Sequence, residues 1–230
     1  MASAQNILYL VSIWAVPAIL AITLHEAAHG FVAKRFGDDT AYRQGRVTFN
    51  PLKHIDPFGT ILLPILLLVT SGGRFAFGWA KPVPVNFNRL RRPRRDMVWV
   101  AAAGPATNLM LALASGYLIH LAVLFPDPIG SLFLANLENS IVINAVLAVF
   151  NMLPLPPLDG GRVAVGLLPR PLARPLAKLE RWGLFILIGF LFILPLLGDR
   201  IGVNLNVFPW LVGGPVEYLI GVIRVLTGIS

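Results

Sequence analysis

The chain contains no cysteine. Disulfides and thiolate metal ligands are therefore excluded, and any zinc site must draw on His, Asp or Glu. Charge is scarce as well. Only 13% of the 230 residues are Asp, Glu, Lys or Arg, where a soluble domain carries about a quarter. Acids number 11 and histidines four, so the search for ligands is short. The N-terminus lacks a basic start, a short apolar run and a small-residue cleavage site, so no removable signal peptide is expected. No internal repeat or low-complexity tail is present. The remaining length leaves no room for a soluble accessory domain, and one membrane domain over 1–230 is the expected organisation.

What the chain has in excess is apolar sequence: 56% of residues are hydrophobic and the mean hydropathy is +0.73. Apolar blocks cover 7–33, 58–71, 97–125, 132–152, 182–198 and 208–228. A spanning helix needs about 20 residues at about 1.5 Å each. Five blocks meet that length directly or by extension at their ends. Block 58–71 is short and carries Pro64, which suits a re-entrant segment. The expectation is an all-α polytopic membrane protein with five spanning helices and one re-entrant segment. Residues 42–49 read as a small β-hairpin closed by Asn50-Pro51, and 78–86 as a proline-interrupted strand, together a small sheet on the cytoplasmic side.

The net charge of +8 invites a nucleic-acid reading, but its placement argues against one. Of 19 Lys and Arg, 12 lie between Lys34 and Arg95 and five between Arg162 and Arg181, each group between apolar blocks. This is positive-inside bias, with attraction to anionic lipid. It predicts a multi-pass protein of the cell (inner) membrane, starting outside and ending inside, with lipid and no nucleic acid as partner.

The sharpest motif is His25-Glu26-Ala27-Ala28-His29, closing the first apolar block. On a helix, residues four apart share a face, so two imidazoles can hold one zinc, and the adjacent Glu can act as general base on a water. Ionisable groups at membrane depth are costly and mark function. The alternative is a helix end whose polar residues reach headgroups. A catalytic zinc takes a third protein ligand. Asp38, Asp39, Asp56 and Asp96 sit in basic loops and read as charge partners; Asp127, Glu138 and Asp199 fall near the outer links. Asp159 follows the block 132–152, where Pro154, Pro156 and Pro157 break the helix and Gly160-Gly161 permits tight backbone. Counting crossings places it on the same inner face as the histidines only if 58–71 does not cross.

At this point the chain resembles the site-2 protease family, intramembrane zinc metalloproteases of the M50 type, in its compact bacterial branch without a PDZ or CBS domain. His25-Glu26-Ala27-Ala28-His29 is similar to the family's HExxH, Leu158-Asp159-Gly160 to its LDG motif, and Ala103-Gly104-Pro105-Ala106-Thr107-Asn108 to its AGPxxN element. The resemblance implies Zn2+ held by His25, His29 and Asp159 and Glu26 as the catalytic carboxylate. It also implies a three-helix core within about 7–159, with two further C-terminal helices over 182–228. The substrate it implies is a transmembrane protein or peptide, and the charge bias puts the active site toward the cytoplasmic side. Asn151 lies where similar proteases have an Asn near the active site; it is a candidate catalytic residue, with a helix cap or interhelical bond as the alternative. Asn108 and Thr107 read as interhelical contacts, His120 as a packing histidine, and His54 as a neighbour of the site or a bystander. A homo-oligomer is compatible with the sequence. The rival function is a catalytically silent metal-binding membrane regulator, but no ligand or catalytic Glu is missing.

Overall fold

The computed structural model describes residues 4–70 and 78–229. Among the described residues, five helices are long and apolar enough to cross a membrane: Leu8–Arg35, Pro93–Ile119, Ile129–Asn151, Glu180–Ile201 and Pro209–Thr227. These match the five long apolar blocks. Helix α1 (Ala4–Arg35) carries the HExxH sequence near its C-terminal end, where Lys34 and Arg35 face the negative end of the helix dipole. It stops at Gly37, whose φ of +109° side chains rarely adopt; Asp38 N–H returns to the Ala33 carbonyl at 2.9 Å.

Helix α2 (Thr40–Arg43) is a single turn, and α3 (Leu63–Thr70) continues a π-type turn over Pro57–Leu62. Helix α4 (Pro93–Ile119) begins with proline at its first position and is capped by Asp96, which accepts the Arg92 N–H at 2.7 Å. Its apolar sequence continues to Phe125, but residues 122–124 form a separate 3₁₀ turn before Pro126. Helix α5 (Ile129–Asn151) leads through a proline-rich turn to α6 (Asp159–Leu167) and the basic α7 (Arg170–Lys178). The fourth long helix comprises α8 (Glu180–Ile188), a π-type turn and α9 (Leu194–Ile201); α10 (Gly214–Thr227) ends the chain.

Helix α4 lies at the centre, against α1, α5 and α6, and α10 closes on α4 and α5. The contacts are built on small residues. Ala33 meets Val100 and Leu90, Ala112 meets Ile141 and Ile223, and Ala145 meets Val212 and Val216. Where the surroundings are as apolar as the side chains, close backbone approach rather than water exclusion holds helices together. Accordingly, large apolar side chains such as Leu8, Val69, Trp210, Tyr218 and Val225 stay outside, 70–82% exposed. A water-soluble monomer rarely tolerates so much apolar surface.

The expected β-hairpin is absent. Among the described residues there is no strand: Thr40–Arg43 is helical and Gly45 turns the chain at φ +63°. The polar groups a sheet would have paired find other partners. Arg46 N–H donates to the Ala41 carbonyl at 2.9 Å, and its guanidinium donates to the carbonyls of Lys81 at 2.8 Å and Pro82 at 3.4 Å. Residues 80–86 form no helix and no strand, because Pro82 and Pro84 have no N–H for a ladder. Nor do the described residues show a re-entrant segment in block 58–71. They show a short helix, 57–70, with Ile61, Leu62, Ile65 and Leu66 outward; residues 71–77 lie outside the described residues. The chain comes back to where this helix began, Trp79 N–H donating to the Gly59 carbonyl at 3.0 Å.

Candidate active site

His25 and His29 sit one helical turn apart on α1, both buried, with ring centroids 4.7 Å apart. Each ring is fixed through its Nδ1. His25 Nδ1 meets the Asn108 side-chain oxygen at 2.5 Å and His29 Nδ1 meets the Val100 carbonyl at 2.7 Å, both on α4. A carbonyl oxygen can only accept, so each Nδ1 carries the proton and each Nε2 presents a lone pair. Those two Nε2 atoms lie 3.0 Å apart. Asp159, the first residue of α6, brings its Oδ2 to 3.2 Å from His25 Nε2 and 3.4 Å from His29 Nε2.

Three acceptors thus converge with no donor among them, and Asp159 Oδ2 is buried without a hydrogen-bond partner. Such a cluster needs a cation. Tetrahedral zinc with bonds of about 2.0–2.1 Å has ligand–ligand edges of about 3.3 Å, close to the separations of 3.0, 3.2 and 3.4 Å found here. His25, His29 and Asp159 form the group of three that could hold a metal among the described residues.

Three glycines make the convergence sterically feasible. A Cβ on Gly104 would lie 2.5 Å from His25 Nε2 and 2.5 Å from His29 Nε2, so only glycine lets α4 pass behind the ligand atoms. Gly160 and Gly161 let the start of α6 press onto the turn before it: a Cβ there would meet the Met152 carbonyl at 2.2 Å or Pro156 N at 2.2 Å.

Glu26, half-buried and beside His25, accepts the Val83 N–H at 2.8 Å through Oε2. Val83 belongs to a segment slung across the C-terminal part of α1. It is tied by Lys81 N–H to the His54 carbonyl at 2.9 Å, by Arg46 to Lys81, and by Asn86 N–H to Asp38 Oδ2 at 2.6 Å. Asp38 is fully buried and also accepts from the Thr40 backbone and hydroxyl. It is a structural clamp, not the solvated charge partner expected from its basic loop; Asp39, paired with Arg43 and Arg89, is one.

Asn151 lies half-buried at the end of α5 and gives its amide N–H to the Leu147 carbonyl at 3.0 Å. His54 is buried outside the metal cluster, its Nε2 donating to the Thr48 carbonyl at 3.1 Å. His120 Nε2 donates to the Thr227 carbonyl at 2.7 Å, joining α4 to the end of α10. Sequence reasoning missed Asn108 as a partner of His25, Val100 as a partner of His29, and Arg46 and Val83 altogether. Only Asn108 had a signal, its place in the AGPxxN element. The others act through backbone groups or a loop path that residue types do not reveal.

Buried imidazoles and a carboxylate meeting among membrane-length helices define a membrane zinc metalloprotease, and the comparisons agree. The model of Peptidase family M50 matches residues 128–195, which include Asp159. YwhC of Bacillus subtilis, named as a zinc metalloprotease, is 42% identical over 182 residues, covering 77% of this chain and 78% of its own. Rip2 of Mycolicibacterium smegmatis, named likewise, is 34% identical over 180 residues, 78% of this chain and 66% of its own. Rip2 of Mycobacterium tuberculosis is 32% identical over 174 residues, 75% of this chain and 64% of its own. No solved structure matches. The chain belongs to Peptidase family M50, the site-2 protease family, and is a multi-pass membrane zinc metalloprotease with Zn2+ as cofactor.

Proposed function

We propose that this enzyme is an intramembrane endopeptidase that hydrolyses peptide bonds of transmembrane proteins or peptides from the cytoplasmic side. The observation that carries the reading is the position of buried His25 and His29 on an apolar, membrane-length helix, with Asp159 meeting them from the start of α6. His29 is six residues from Arg35, about 9 Å along the helix at about 1.5 Å per residue. The site therefore sits within the apolar layer but near its basic end, which the positive-inside rule assigns to the cytoplasm.

His25, His29 and Asp159 would hold the zinc. When bound, zinc supplies Lewis acidity, making a water acidic enough to ionise near neutral pH and polarising a carbonyl. Glu26 accepts a proton from that water and returns it to the leaving amine. The Val83 N–H fixes Glu26 Oε2 and leaves Oε1 for the proton. Asn151, once its amide leaves the Leu147 carbonyl, donates to the developing oxyanion, a role worth about 3 kcal/mol in other enzymes. Residues 80–86, neither helix nor strand, run beside Glu26 and offer backbone groups to a substrate that has locally unwound. One domain carries all of this, with α8 to α10 as further helices around the core.

The test is cleavage of a single-span peptide by purified enzyme in proteoliposomes. Native enzyme should cut it, lose activity to a zinc chelator and regain activity on adding zinc. Glu26→Gln should bind zinc fully and lose at least a thousandfold in rate. Undiminished cleavage by that variant would remove Glu26 from the mechanism.

A further inference from the structure

The metal site has a polar support inside the bundle that the chemistry above does not use. Asn108 and Asn144 are almost completely buried, on α4 and α5. Asn108 can serve His25 in only one of its two amide orientations. With Oδ1 toward Nδ1, the imidazole keeps its proton there and leaves Nε2 free. With the amide reversed, an N–H would face Nδ1, the proton would move to Nε2, and the ligand lone pair would be lost.

The orientation is set from behind. Asn108 Nδ2 donates to Asn144 Oδ1 at 2.8 Å and, more weakly, to the Ala21 carbonyl at 3.4 Å. Asn144 cannot itself reverse at low cost, because its Nδ2 donates to the Ser140 carbonyl at 2.9 Å and the Ser140 hydroxyl at 3.2 Å. Ser115 donates to that same hydroxyl at 2.8 Å. The chain of bonds runs from α5 through α4 to the ligand on α1.

We propose that Asn144 is a positioning residue for the metal centre: by fixing the Asn108 amide it selects the tautomer of His25 that can bind zinc. This rests on the reading of His25 as a ligand. Partners behind a ligating histidine typically change metal affinity about 10- to 100-fold when removed.

A double-mutant cycle on full-length protein in detergent tests the proposal, with zinc alone as probe and competition against a chromophoric chelator as readout. Asn144→Leu should weaken zinc binding about tenfold or more. Asn108→Asp offers an acceptor in either orientation, so there is nothing left to select. In that background Asn144→Leu should change zinc affinity by less than about threefold. An equal loss in both backgrounds would mean that Asn144 merely packs, and would overturn the proposal. So would undiminished binding by Asn144→Leu. Where Asn144→Leu does not fold, Asn144→Ala takes its place in the same cycle. A His25→Ala variant with native zinc affinity would instead overturn the ligand reading on which the proposal stands.

Discussion

At the scale of single residues, the site depends on an atom that is not there. The missing Cβ of Gly104 leaves the space in which the imidazole Nε2 atoms of His25 and His29 converge. A methyl placed 2.5 Å from ring atoms must displace them or the helix, and overpacking of this kind costs about 1–3 kcal/mol. Gly104→Ala should therefore retain membrane insertion and helix content by circular dichroism but lose zinc affinity at least tenfold. Native zinc binding by that variant would show that α4 can retreat freely. The three residues that meet here, and could hold a metal, were legible in the sequence, because HExxH and a lone acid after a proline-broken helix are local patterns. Asn144 was not legible. Nothing in its neighbours along the chain distinguishes it from any other polar residue on an apolar helix, and its role arises only where α4 and α5 cross.

At the scale of elements, the five long helices follow directly from apolar length, and the structure differs from the sequence reading by a few residues at each end. The hairpin reading of 42–49 failed for a physical reason. Alternating residue types suggest a strand only if the backbone lacks better partners, and here the N–H groups of Arg43, Gln44, Gly45 and Arg46 donate to the carbonyls of Asp39, Thr40, Tyr42 and Ala41. The same holds for 80–86, whose prolines remove ladder donors while Val83 keeps one N–H for Glu26. Hydrogen bonds to charged groups contribute about 1.5–3 kcal/mol. If that bond orients Glu26, Val83→Pro should lower kcat about 10- to 100-fold with zinc content unchanged, whereas Val83→Ala, which keeps the N–H, should remain near native. Equal rates for the two variants would show that the bond does not orient Glu26.

At the scale of the whole molecule, the enzyme joins parts of the chain that are 130 residues apart, the end of α1 and the start of α6, across the small-residue face of α4. Apolar surface that would be a liability in water becomes the lipid-facing exterior, and buried polar side chains of α1, α4, α5 and α6 meet around His25, His29 and Asp159. X-ray absorption at the zinc edge of the purified, zinc-loaded protein tests this convergence most directly. Native protein should hold one zinc with two imidazole nitrogens and a carboxylate oxygen at about 2.0–2.2 Å. Asp159→Ala should lose that oxygen and most of its metal. One full equivalent of zinc with an unchanged spectrum in Asp159→Ala would contradict the account.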